Sequence, residues 1–258
     1  MTTYLDNILE HHRIVAATDH RPIEMLIAEA TGMPATRGFA SALRAQSNLA
    51  VIAEIKRRSP SKGDLFADLD PTVLAKAYEA GGAGCLSVLT DSPHFGGSVT
   101  DLQLARSACS LPVVRKDFTV SERDVLDTRI MGADCVLLIA AALDKNQLVD
   151  LHELATSVGL DVLVEIHDEA ELEVALAADA SVIGVNQRDL VTFRVDHERA
   201  VRMASLIPAN VVRIAESGVR DRADARSLRD AGYDAVLVGE SLVTAADPAA
   251  AIAELRVT

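Results

Sequence analysis

Three features of this 258-residue chain predict an α/β fold, a (β/α)8 TIM barrel with an amino-terminal helical extension: eight short β-branched runs, helix-capping signals between them, and their regular spacing. The runs are VIAEIK (51–56), CLSVLT (85–90), PVVRK (112–116), CVLLI (135–139), VLVEI (162–166), VIGVN (182–186), VVRIAES (211–217) and AVLVG (235–239). Most are continuously apolar, as suits strands covered on both faces. They recur at roughly the 25–30 residues that one strand and one helix occupy. An open doubly wound sheet is the competing arrangement, but it wants a glycine-rich turn after its first strand. KRRSPSKG follows that strand here, and it fits neither GxGxxG nor the Walker A pattern.

The elements take their boundaries from local chemistry. Residues 1–48 precede the first strand; TYLDNILEHHRIVAAT and PIEMLIAEA are helical in pattern, GFASALRAQ more weakly so. They either plug the barrel floor or cover its mouth, and 1–258 reads as one barrel domain that includes them. Asp70-Pro71 sets a capping oxygen before a proline at the first helical position, and Gly81-Gly82 follows that helix. Ser98-x-x-Asp101, Ser121-x-x-Asp124, Asp144-x-x-Gln147 and Asp168-x-x-Glu171 are capping-box variants. Gly159 closes the helix opened at Asp144, Asp196 and Asp221 cap two more, and Asp247-Pro248 starts the last. The short piece GESLVT (239–244) follows the eighth strand.

Composition narrows the function. Hydrophobic residues make up 49% and charged residues 24%, so a disordered chain is excluded, and a formal charge of −13 disfavours nucleic acid and anionic membranes. The amino terminus lacks the apolar core of a signal peptide, and the longest apolar run, CVLLIAAAL (135–143), is too short to cross a bilayer. A cytoplasmic protein, monomer or weak dimer, with no further domain after residue 258, is expected. Cys85, Cys109 and Cys135 lack CxxC spacing and read as reduced thiols. Metal is not expected: HExxH and EF-hand patterns are absent, and His152-Glu153 and His167-Asp168 read as helix-surface or capping residues.

Charged and amide groups gather at the carboxyl ends of the strands, where barrel enzymes place their chemistry. They are Glu54 and Lys56, Lys116, Glu165, Asn186 with Arg188 just beyond, Glu216-Ser217, and Gly239-Glu240. The amino ends show no matching group. A charge on a strand built for burial is costly unless paired or functional. Ser217-Gly218 and Gly239-Glu240, with GESLVT as a short helix, stand where many barrels hold phosphate. A small phosphorylated substrate, with positive charge gathered inside an acidic protein to receive it, is the reading.

IAEIKRRSPSKG (52–63) closely resembles the signature of the indole-3-glycerol phosphate synthase family. The resemblance runs in order through SVLTDSPHFGGS (87–98), PVVRKDF (112–118), VLLIAAAL (136–143), VEIHDEAEL (164–172), GVNQRDLVTF (184–193), IAESGV (214–219) and VLVGESL (236–242). It implies a (β/α)8 barrel that cyclises 1-(2-carboxyphenylamino)-1-deoxyribulose 5-phosphate to indole-3-glycerol phosphate, releasing carbon dioxide and water, without metal or organic cofactor. It also implies roles. Lys116 is the general acid and Glu165 the base. Lys56 contacts anionic groups and shares in proton transfer, with Glu54 beside it as a catalytic carboxylate. Asn186, Glu216 and Ser217 belong to the active site. Ser59, Phe95 and Arg188 contact substrate, Phe118 walls the aromatic ring, and Gly218, Gly239 and the Glu240 backbone hold phosphate. Gln187 stands where asparagine or serine is expected, and HHRIVAATDHRP is poorer in lysine than expected. For Lys116 to donate a proton, a pKa lowered by burial or by Lys56 is expected. A Schiff-base aldolase, a sugar-phosphate isomerase and a non-catalytic phosphometabolite-binding barrel are the alternatives. The non-catalytic barrel would have no need to keep Glu54, Lys56, Lys116 and Glu165 together.

Overall fold

The computed structural model describes residues 3–60, 62–189, 191 and 193–258. Ser61, in the predicted KRRSPSKG turn, Leu190 and Thr192, in GVNQRDLVTF, and Met1 and Thr2 lie outside the described residues. The eight predicted runs are strands β1 (Ala50–Ile55), β2 (Cys85–Leu89), β3 (Val113–Lys116), β4 (Cys135–Ile139), β5 (Asp161–Ile166), β6 (Val182–Asn186), β7 (Val212–Glu216) and β8 (Ala235–Val238). All pair in parallel, and β1 bonds both β2 and β8, which closes the barrel. Arg58–Ser59 and Gly63–Asp64 form a small antiparallel pair in the loop after β1.

Alternation along each strand divides the apolar residues into two shells. Val51, Ala53, Val88, Val136, Val164 and Val185 belong to the outer cluster, packed under the helices. Ile52, Cys85, Val114, Leu137, Leu163, Ile214 and Leu237 belong to the inner cluster that fills the barrel. The helices that follow are α4 (Pro71–Ala80), α6 (Val99–Ala108), α7 (Glu122–Ile130), α8 (Lys145–Ser157), α9 (Glu169–Ala177), α10 (His197–Ala204), α11 (Arg222–Asp230) and α13 (Pro248–Leu255). Two four-residue helices, α5 (Ser92–Phe95) and α12 (Glu240–Val243), sit in the loops after β2 and β8. The Asp70, Asp196, Asp221 and Asp247 caps form, as do the boxes of Ser121 with Asp124 and Asp144 with Gln147. Ser98 and Asp168 also cap, but their partners turn elsewhere: Asp101 pairs with Arg57, and Glu171 reaches back to His167.

Both placements considered for the amino-terminal region are realised, by different helices: α1 (Tyr4–Thr18), α2 (Ile23–Gly32) and α3 (Phe39–Arg44). Phe39 and Leu43 of α3 join the inner cluster, and the Phe39 carbonyl accepts from Cys85 Sγ at 3.7 Å, so α3 plugs the floor. Phe39→Ala is expected to cost about 3–5 kcal/mol, read from chemical denaturation, because a fully buried ring is deleted at a site closed on both sides. Helix α2 lies against the outer wall at α7. Helix α1 covers part of the mouth: Arg13 Nη2 donates to Ala142 O at 2.9 Å, and the His12 ring meets Phe118 with centroids 5.4 Å apart.

The carboxylate of Asp91 fastens α1. Its Oδ2 lies 3.0 Å from both His12 Nε2 and His94 Nδ1, and Asp117 Oδ1 is 3.8 Å from His12. Burial disfavours charge on His12, but the hydrogen bond to Asp91 and the charges of Asp117 and Asp91 outweigh it, and its pKa is raised. The stabilisation from a raised histidine is whole below its ordinary value near ~6.5 and is lost as pH rises through the folded value. The melting-temperature gap between the natural protein and His12→Asn is therefore expected to narrow as pH rises through and above neutrality.

Two expectations need correction. Charged groups do stand at the amino ends of the strands. Buried Asp134 accepts from Arg37 N at 2.8 Å, Val113 N at 2.9 Å and Arg106 Nη2 at 2.9 Å; Asp161 accepts from Ala40 N at 2.9 Å, and Asp234 from Arg213 N at 2.9 Å. These carboxylates are consumed by backbone N–H groups and arginines that the floor would otherwise leave unbonded. His152 is buried rather than on a helix surface, and burial lowers its pKa.

Candidate active site

Strand alternation assembles the site one rung above the inner apolar shell. The inward series Ile52–Glu54–Lys56, Val114–Lys116, Leu163–Glu165, Val182–Gly184–Asn186, Ile214–Glu216 and Leu237–Gly239 each pass from apolar filling to polar or glycine at the carboxyl end. All of the predicted site residues line one cavity of about 490 Å³: Glu54, Lys56, Ser59, Phe95, Lys116, Phe118, Glu165, Asn186, Arg188, Glu216, Ser217, Gly218, Gly239 and Glu240.

Within it the charges interlock. Lys116 Nζ donates to Glu165 Oε2 at 3.0 Å and lies 3.9 Å from Glu216 Oε2. Glu165 Oε1 accepts from Asn186 Nδ2 at 3.0 Å, and Asn186 Oδ1 accepts from Arg188 N at 3.0 Å. Lys56 pairs with Glu54, whose other oxygen accepts from Ser87 Oγ at 3.4 Å. Gly184 makes room for this cluster, since a Cβ there would overlap the Glu216 carboxylate.

The expectation of a lowered Lys116 pKa is overturned. Burial works against its charge, but Glu165, Glu216 and Glu54 together outweigh burial and raise the pKa. Lys56, the cation expected to repel it, is instead paired with Glu54. The two central carboxylates diverge. Burial would raise Glu165, but Lys116 and His167 beside it, with the Asn186 hydrogen bond, hold it below its ordinary value. Burial and the Glu165 charge push Glu216 well above the ordinary carboxylate range. The pair is thus driven apart, Glu165 toward its ionised form and Glu216 toward its protonated form, the direction that separates a base from an acid.

The walls complete it. Phe95 and Phe118 stand with ring centroids 6.2 Å apart at an angle of 38°. Ser59 Oγ is buried without a partner among the described residues. After β7, Ser217 and Gly218 both take left-handed backbone conformations, φ 66° and 79°. Gln187 holds that turn, Nε2 donating to Ser217 O at 2.7 Å and its N–H to Glu216 O at 3.0 Å. A longer amide suits this reach, which gives the unexpected residue a function. Ser241 Oγ donates to Val219 O at 3.2 Å, so the loops after β7 and β8 adjoin. A Cβ at Gly239 would meet the Glu54 carboxylate and sit 3.0 Å from Lys56 Nζ.

Lys62, Phe193, His197, Arg220 and Ser241 also line the cavity and were not singled out from sequence. Lys62 bonds Glu240 across the mouth at 2.8 Å. Ser241 was discoverable from its place just after Gly239-Glu240. His167, expected as a helix-surface or capping residue, instead places its Nε2 3.7 Å from Glu165 Oε1. Its position two residues after Glu165, on the same face of the chain, was the available signal.

Comparison with known proteins supplies a family. The family profile described as indole-3-glycerol phosphate synthase matches residues 5–255. A protein of that name from Mycolicibacterium vanbaalenii is 49% identical over 255 residues, covering 98% of this chain and 93% of the relative. One from Polaromonas naphthalenivorans is 45% identical over 260 residues, covering 99% of each. Among solved structures, 3-hexulose-6-phosphate synthase from Salmonella typhimurium superposes with a TM-score of 0.63 at 15% identity, over 81% of this chain and 97% of that one, a likeness of fold alone.

Proposed function

The chain belongs to the indole-3-glycerol phosphate synthase family, and from that premise we propose how its pocket closes the indole ring. The protein is a decarboxylating, ring-closing lyase of tryptophan biosynthesis. It cyclises 1-(2-carboxyphenylamino)-1-deoxyribulose 5-phosphate to indole-3-glycerol phosphate, with loss of carbon dioxide and water. The observation that carries the residue assignment is Lys116 held 3.0 Å from Glu165 across the barrel, beside the Phe95–Phe118 wall.

Gly218, Gly239 and the Glu240 backbone take the phosphate, with Ser241, Lys62 and Arg220 around them. Lys56 and Arg188 meet the substrate carboxylate, Ser59 supplies a hydroxyl with no competing partner, and Phe118 and Phe95 bound the aromatic ring. Holding both ends of the substrate keeps ring carbon and ketone carbon in attacking distance, a contribution of proximity. As the carbon–carbon bond forms, negative charge grows on the ketone oxygen. Lys116, charged and desolvated, stabilises it. A raised pKa does not prevent the transfer that follows, because an alkoxide is far more basic than an amine. Loss of carbon dioxide then returns the electron pair to the ring. In the dehydration step Glu216, protonated, donates to the departing hydroxyl, and Glu165, ionised, removes the ring proton. Asn186 orients Glu165, Glu54 holds Lys56, and Ser217 sets the turn beside Glu216.

A Schiff-base reaction needs Lys116 as a neutral amine, and its three carboxylate neighbours oppose that. We also read residues 1–258 as one domain, with 1–48 supplying the floor plug and part of the lid. The test is incubation with the carboxyphenylamino substrate while indole fluorescence is followed; the chain contains no tryptophan to obscure it. Growth of indole emission with release of carbon dioxide is expected. No emission, with a borohydride-trapped adduct on Lys116, would replace this reading with the aldolase.

A further inference from the structure

The mechanism leaves one problem at Glu165. Lys116 is the foremost positive neighbour keeping this carboxylate ionised, yet the same lysine turns to the substrate oxygen and gives up its proton. Glu165 is then left buried beside Glu216 and Glu54 and, without another cation, would take up a proton before it could act as a base.

A second group able to carry positive charge is in place. Strand β5 points Leu163 and then Glu165 inward, and the next inward residue is His167, just past the strand end. Its Nε2 lies 3.7 Å from Glu165 Oε1 and is buried with no hydrogen-bond partner among the described residues. The other side of the ring is fully committed. Glu171, at the start of α9, accepts from His167 N at 2.7 Å, and its same oxygen stands 3.0 Å from Nδ1. That grip fixes the ring and points Nε2 at Glu165. Asn186 and Lys116 take the other positions around the carboxylate, at 3.0 Å each.

We infer that His167 is a positioning residue for the ring closure, its imidazolium holding Glu165 ionised and in place while Lys116 is engaged with the substrate. The inference rests on Glu165 being the base. The charged groups facing His167 are Glu165 from β5, Glu171 from α9 and Arg199 from α10; both carboxylates favour its charge and the arginine opposes it. Burial also opposes it, and the balance raises its pKa.

The test is the pH profile of kcat for the natural protein, His167→Gln, Glu171→Gln and Glu165→Gln. Glutamine keeps a hydrogen-bonding side chain at 167 but carries no charge. The acid limb of His167→Gln is expected to move up by about one pH unit. On that limb its kcat is then about tenfold below the natural protein, converging at higher pH, while KM stays within about twofold. Glu171→Gln, which keeps His167 but loosens its grip, moves the limb the same way by less, and carries the test should His167→Gln fail to fold. A limb superimposable on the natural one in the folded variants overturns the role of His167. Should Glu165→Gln retain natural turnover, the base assignment itself fails, and the inference with it. A dead Glu165→Gln beside an unshifted His167→Gln removes the histidine role alone.

Discussion

Lys116→Met is expected to bind the substrate and to turn it over about 10³-fold more slowly or worse. Methionine matches the length of lysine and fills the same channel, so the phosphate loops and the Phe95–Phe118 wall are untouched. What disappears is the one charge within 3.0 Å of Glu165 that also reaches the ketone oxygen in the proposed pose. The interaction exists chiefly in the transition state, where the oxygen carries its charge, so kcat falls and KM changes little. Deleting it has a second effect of the same sign. Glu165, Glu216 and Glu54 lose their shared counter-charge, which leaves His167 alone to keep Glu165 ionised and lowers the fraction of base ready to act. Steady-state kinetics by indole fluorescence, with substrate binding measured separately, decides it. Turnover near the natural level in that variant would remove Lys116 from the chemistry.

Gly184→Ala is expected to lower kcat by about 10²-fold, although residue 184 bears no functional group. The added methyl occupies the space of the Glu216 carboxylate and comes within 3.1 Å of Leu163 Cδ1. Leu163 has no room to retreat, being fully buried inside the closed barrel, whereas Glu216 faces the cavity. Glu216 must swing from the position it holds 3.9 Å from Lys116, and the proposed acid is misplaced. Overpacking of this kind costs about 1–3 kcal/mol, which a barrel of this size tolerates. A folded protein with strongly reduced kcat is therefore the expected result, checked by circular dichroism beside the kinetics. Undiminished kcat would show that Glu216 works from elsewhere or is not needed.

Much of the architecture was legible because it is local. Short β-branched apolar runs, proline after a capping aspartate and glycine after a helix each encode an element over a few neighbours, and all eight strands formed where those signals placed them. That these side chains would line one cavity was legible too, since a charge ending an apolar strand is conspicuous in one dimension. Asp134 misled the same reasoning, because sequence does not reveal that Arg37 and Val113 backbone groups converge on it. His167 was passed over for a related reason: a capping residue and a carboxylate's neighbour look alike until the strand is set in a barrel.

The chain by itself determined which side chains stand at the carboxyl ends of the strands and which way they face, since alternation needs no distant partner. The protonation pattern was decided only when the barrel closed. Lys116 meets Glu165 from two strands away and Glu216 from further round, and electrostatic energy depends on those separations and on how little water remains between them. That convergence reverses the expected shift of Lys116 and parts Glu165 from Glu216. It also sends α3 to the floor and α1 to the mouth, where apolar faces find the two ends of one core.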